Sequence, residues 1–159
     1  MQLNTDTKVI LGTIIGTGII LIGAVFYFSK TQTPSAPSEN VLATNGLHWH
    51  PRLTVYINGK IQGFSNNIGL GAVHQPMHTH DEDYKEGVVH MEMSGAVTKD
   101  ETKLSNFFRI WGKEFNSTQI FDKKNNEEEK VKMLVNGKIN RDFENYEMHD
   151  GDMIEIKYE

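Results

Sequence analysis

The sequence predicts an α+β domain, a mixed sheet packed on one main helix, preceded by a single transmembrane helix. Three observations carry this reading. An uncharged run opens the chain, two Asn-Gly dipeptides each sit beside alternating apolar residues, and one later stretch has a clear helical period.

After a short tail at residues 1–8, Val9 to Phe28 ("VILGTIIGTGIILIGAVFYF") holds 20 residues without a charge. At ~1.5 Å rise per residue it spans ~30 Å, the thickness of a bilayer's hydrocarbon core. It closes on Phe26-Tyr27-Phe28, as an interfacial aromatic belt would. A cleaved signal peptide is the rival reading. Its apolar region usually runs ~7–15 residues and ends in small residues, whereas the nearest candidate site, near Ser35-Ala36, is hemmed in by Pro34 and Pro37. Lys8 and Lys30 flank the run, so the positive-inside rule barely discriminates. A short N-terminus with the rest translocated is the commonest arrangement, which places the domain on the extracytoplasmic side of the cell membrane. Gly12 and Gly16 form a GxxxG pair through which two spans can make a homodimer.

Residues 29–46 ("SKTQTPSAPSENVLATNG") are Ser/Thr/Pro-rich without period and read as a flexible tether. The soluble domain is expected over 47–159. Leu53, Val55 and Ile57 alternate with Thr54 and Tyr56 up to Asn58-Gly59, a tight hairpin turn, and the return strand runs about Lys60 to Phe64. Residues 65–87 have neither period, and a loop of that length in a compact domain is more often functional than not. Val88–Met93 reads as a strand. In "TKLSNFFRIWG", Leu104, Phe107, Phe108 and Trp111 make one apolar helical face, stopped by Gly112. A strand near Gln119–Phe121, a charged hairpin loop "DKKNNEEEK", the strand Val131–Val135, a second turn at Asn136-Gly137 and a last strand in "HDGDMIEIKYE" complete the series.

From Val131 onward, "VNGK" and "HDGDMIEI" resemble the tail of ubiquitin-like β-grasp domains, which implies a β-grasp-like sheet. The chain shows Tyr158-Glu159 where sulfur carriers have the Gly-Gly that is activated, so carrier activity does not follow. More broadly, His48-Trp49-His50-Pro51, His78-Thr79-His80-Asp81, Val89-His90-Met91-Glu92 and Phe107 to Gly112 resemble the HxHP, HTHD, HxE and FFxxWG pattern of a group of small, uncharacterised, membrane-anchored His-rich proteins. That resemblance brings no activity with it.

The chemistry lies in the histidines. Cysteine is absent, which excludes disulfides, thiolate sites and Cys nucleophiles. A net charge of −5 argues against nucleic acid as a partner. Six of the seven histidines lie between residues 48 and 90. In a strand, residues i and i+2 share a face about 6.5–7 Å apart, close enough for two imidazoles to lean onto one ion. His48 with His50, and His78 with His80, have that spacing. His90 and Glu92 share the open face of their strand, opposite Val89, Met91 and Met93.

The candidate metal ligands are therefore His48, His50, His78, His80 and His90, with zinc or copper as the cofactor. His74 and the thioether of Met77 are accessory candidates. Glu92 is read as a partner that orients an imidazole, and Asp81 either as another or as a turn cap. His149, in "MHDGD", reads as a turn residue. The His-x-His pairs are also similar to those of α-type carbonic anhydrases and cupins, but the chain is too short for the first fold and His80 to Glu86 is the wrong spacing for the second. The function expected is a membrane-tethered metal-binding protein, acting as carrier, buffer or structural site. The alternatives are a His-ligated metalloenzyme with Glu92 or Asp81 as general base, and a metal-free interaction module whose histidines sense pH.

Overall fold

The computed structural model describes residues 4–31 and 40–159. They belong to two units, one within Met1–Ser38 and one from Glu39 to Glu159. The first is helix α1, Thr5–Thr31. Its stretch Thr7–Tyr27, of mean hydropathy 2.5, is long and apolar enough to cross a membrane. The polar atoms inside the run are satisfied locally: the hydroxyls of Thr13 and Thr17 donate to the Val9 and Thr13 carbonyls one turn back.

The second unit is a mixed α+β domain, and it begins earlier than composition suggests. Strand β1 (Val41–Ala43) pairs antiparallel with β7 (Val97–Thr98), and the Gly46 N–H donates to the Gly95 carbonyl at 2.6 Å. Part of the expected tether is thus folded onto the domain. The rest of it, residues 32–39, lies outside the described residues.

The main sheet has five strands: β3 (Arg52–Ile57), β4 (Lys60–Gln62), β11 (Val131–Val135), β12 (Lys138–Asn140) and β13 (Met153–Tyr158). Their order is β12-β11-β13-β3-β4. Two hairpins flank the central β13, which runs parallel to β3 with Ile154 beside Leu53 and Ile156 beside Val55. Each hairpin turns on an Asn-Gly pair with positive φ at both residues, 50° and 74° at Asn58-Gly59 and 53° and 76° at Asn136-Gly137. Such a turn matches the natural twist of the strands it joins.

Helix α2 (Leu104–Trp111) buries Leu104, Phe107 and Phe108, the face its period marks out. It stops where Gly112 takes φ 70° and its N–H returns to the Phe108 and Arg109 carbonyls. Phe64, from the end of the first hairpin, meets Phe107 and Trp111 edge-on, with centroids 5.6 and 4.8 Å apart. These side chains form one core with Leu53, Val55, Ile154 and Ile156 from the sheet. Beyond α2, β8 (Phe115–Asn116), β9 (Gln119–Ile120) and β10 (Lys123–Lys124) make a small meander. The charged loop therefore contributes a short strand of its own.

A second small sheet positions the histidines. It consists of β2 (Leu47–Trp49), β5 (Met77–His78) and β6 (His90–Met93), all antiparallel, with β6 in the middle. The stretch 65–87, without period in the sequence, thus contains a strand, and it also holds a 3-10 turn at Tyr84–Glu86. On one face Met77 lies opposite Met91, and both are fully buried in the common core.

Candidate metal centre

The register of the small sheet brings its polar side chains together on the other face. His78 pairs with His90, and His48 pairs with Glu92. Directly opposite residues stand about 4.5–5.5 Å apart at Cβ, and His90 and Glu92 are two residues apart on one strand, so all four crowd one patch. His80 reaches it from the segment after β5, and His50 from the turn into β3. The ligand-type atoms of His78, His80, His90 and Glu92 all lie within 4.8 Å of one another, and so do those of His48, His50 and His90. All five histidines put forward from the sequence therefore meet in one cluster, in two groups that share His90.

The inner group is built around His78, whose side chain is completely buried. Its Nδ1 lies 3.1 Å from the Gln75 carbonyl. A carbonyl only accepts, so Nδ1 carries the proton and Nε2 keeps its lone pair. That Nε2 is 3.0 Å from His80 Nε2, while His74 Nε2 lies 3.2 Å from both ring nitrogens of His78. Two nitrogens bound to one tetrahedral ion at ~2.0–2.1 Å lie about 3.3 Å apart, so the His78–His80 contact has the separation of shared ligands. Glu92 Oε1 stands 3.9 Å from the same nitrogen and 3.2 Å from His48 Nε2. His74, the accessory candidate, touches the His78 ring from the exposed side but is not in either group of mutually close ligand atoms.

Burial pushes the His78 pKa below its ordinary value, and the neighbouring His74 and His80 push the same way, against the Gln75 carbonyl and Glu92. A buried neutral imidazole with a free lone pair is the form that binds a metal.

His90 is fixed from below. Its Nε2 is 2.8 Å from Asp83 Oδ2. A carboxylate accepts only, so Nε2–H donates and Nδ1 is the nitrogen left for a ligand bond. The other oxygen, Asp83 Oδ1, is buried without a hydrogen-bond partner among the described residues. His50 is held by the turn before β13: its backbone N–H donates to Asp150 Oδ1 at 2.7 Å, and its ring is 3.8 Å from the same oxygen. A groove of about 580 Å³, lined by Leu47, His48, His74, Pro76, Glu92 and Met93 among others, opens beside the cluster.

Two accessory candidates stand elsewhere. Met77 faces the apolar core, because in a two-residue strand the side chain next to His78 must take the other face. Asp81 accepts from Asn66 Nδ2 at 2.9 Å and so ties the loop to itself, as a turn residue does. The carboxylate that supports an imidazole is Asp83, two residues on, which the 3-10 turn at Tyr84–Glu86 brings under β6. Its only sequence signal is its place in "HDEDY", where nothing separates it from Asp81 or Glu82. Asp150 was equally hidden, a hundred residues from the histidine it holds. His149 sits in the turn, as expected, with its ring stacked on Trp49 at 5.6 Å.

Compared with family models, with curated proteins and with solved structures, the chain gives no significant match.

Proposed function

We propose that this chain is a membrane-anchored metal-binding protein whose clustered histidines hold zinc or copper, as a carrier, buffer or structural site, in a β-grasp-like domain on the extracytoplasmic side. The observation that carries this reading is the surroundings of His78. A fully buried imidazole, its tautomer set by the Gln75 carbonyl, has its free nitrogen 3.0 Å from the His80 nitrogen, with His90 and Glu92 in the same close group. Burying the His78 ring with its lone pair turned toward a second imidazole has a cost that an ion shared between them would offset.

The donors are nitrogen and carboxylate oxygen, with the Met77 thioether turned away, which suits Zn(II) or Cu(II) rather than Cu(I). The anchor is supported by the length and apolarity of Thr7–Tyr27. The β-grasp reading is supported by the sheet order, two hairpins around a central parallel pair, with α2 packed into the same core. Dimerisation through the GxxxG pair Gly12 and Gly16 is a secondary part of the reading.

The test is metal content by mass spectrometry on the full chain, purified in mild detergent without added metal or chelator. A His80→Ala/Glu92→Ala variant, which leaves buried His78 in place, is its companion, with circular dichroism to confirm that both are folded. Close to one zinc or copper per wild-type chain, lost in the folded variant, is the expected result. A metal-free wild type that also refuses metal on reconstitution sinks the reading.

A further inference from the structure

Resting on that metal-binding reading, we propose that His48 and His50 form an entry station, from which an ion passes to the inner site through the shared ligand His90. Four observations lead here. The two groups overlap in one residue, His90. Exposure falls in steps along the path, with side chains 61% exposed at His48, 43% at His50, 14% at His90 and 0% at His78. The rings form an unbroken series, with centroids 4.8 Å apart from His50 to His90 and 4.5 Å from His90 to His80. Finally, Glu92 of the inner group lies 3.2 Å from His48 of the outer one, which gives a second bridge between stations.

Sharing decides between two ions held together and one ion handed on. Asp83 occupies Nε2 of His90, so the ring has a single nitrogen to give and serves one ion at a time. The outer pair and the inner set therefore act in succession. A hydrated ion is first caught by the exposed pair, which replaces part of its water shell at the surface. His90 then binds, and His80, His78 and Glu92 displace His48 and His50 one ligand at a time. No step leaves the ion without ligands in a buried site, which is the costly alternative for a divalent cation.

The experiment is stopped-flow loading of the metal-free full chain in detergent with Co(II), whose absorbance reports entry into a low-coordinate nitrogen site, together with a titration to the end point. Wild type is compared with His48→Ala/His50→Ala, a variant at exposed positions. The proposal expects one Co(II) per chain in both, and loading about tenfold slower or more in the variant, as for a barrier raised by ~1.4 kcal/mol or more. Equal loading rates overturn the entry station and leave the metal-binding reading intact. So do two Co(II) per wild-type chain, or loss of the final complex in the variant, because His48 and His50 would then belong to a resting site. A wild type that binds no Co(II) and no zinc overturns both.

Discussion

A neutral imidazole has one proton to place, and at His90 the carboxylate of Asp83 places it. Asp83→Asn should therefore weaken metal affinity about 10- to 100-fold in a chelator-competition titration, as the loss of an orienting partner does. Asp81→Asn, at a carboxylate that accepts from Asn66 rather than from a histidine, should leave affinity unchanged. At His78 the pressure is burial. The folded protein keeps that ring neutral below 6.5, its ordinary value, whereas the unfolded chain takes up a proton there. The unfolded state then binds more protons, so the stability of the metal-free domain falls as pH drops through the window beneath 6.5. Urea midpoints should accordingly decrease from about pH 7.5 to about pH 5.5, and less so in His78→Gln. At this scale the sequence was informative where chemistry is local: a His-x-His pair announces itself by spacing alone. It was silent on Asp83 and Asp150, whose roles depend on a 3-10 turn and on a contact a hundred residues away.

Elements bring these residues together, and short ones are the hardest to foresee. Both main hairpins and α2 have strong periods and Asn-Gly or Gly stops, and they stand where the pattern puts them. Strand β5 has two residues and β1 three, too few for alternation to be visible, so the loop at 65–87 and the tether gave no sign of them. The alternation in Val89–Met93 did separate His90 and Glu92 from Met91, and with it the site from the core. The turn carrying Asp83 is locked to β3 by Gly87. Its φ is 77°, the Leu53 N–H donates to its carbonyl at 2.8 Å, and an added Cβ would meet the Leu53 carbonyl oxygen. Gly87→Ala is both strained and crowded, and should destabilise the domain by at least about 1 kcal/mol in urea unfolding. Metal affinity should fall with it, since the shift carries Asp83 away from His90.

Across the whole molecule the site and the core share their supports. Arg52 opens β3 by donating its N–H to the Asp152 carbonyl at 2.7 Å, two residues after His50 is bound by Asp150. The turn that starts the central strand thus holds His50 as well. An ion bound only by the folded form should stabilise the full domain, by about 2.7 kcal/mol at a free concentration 100 times its Kd. Zinc titrated into the metal-free protein should raise the urea midpoint accordingly, and His80→Ala/Glu92→Ala should abolish the rise. The two outer strands of the main sheet, β4 and β12, have a further consequence. Each leaves its Asn-Gly turn with the same Lys-Ile pair, Lys60-Ile61 and Lys138-Ile139, and both isoleucines are largely exposed. An open strand with an exposed isoleucine invites a neighbour's strand to pair with it, and the adjacent lysine makes that approach a meeting of like charges. Chains crowded shoulder to shoulder would thus keep their sheets separate, and a charge-removing substitution at Lys60 or Lys138 would weaken that guard on the domain's rim.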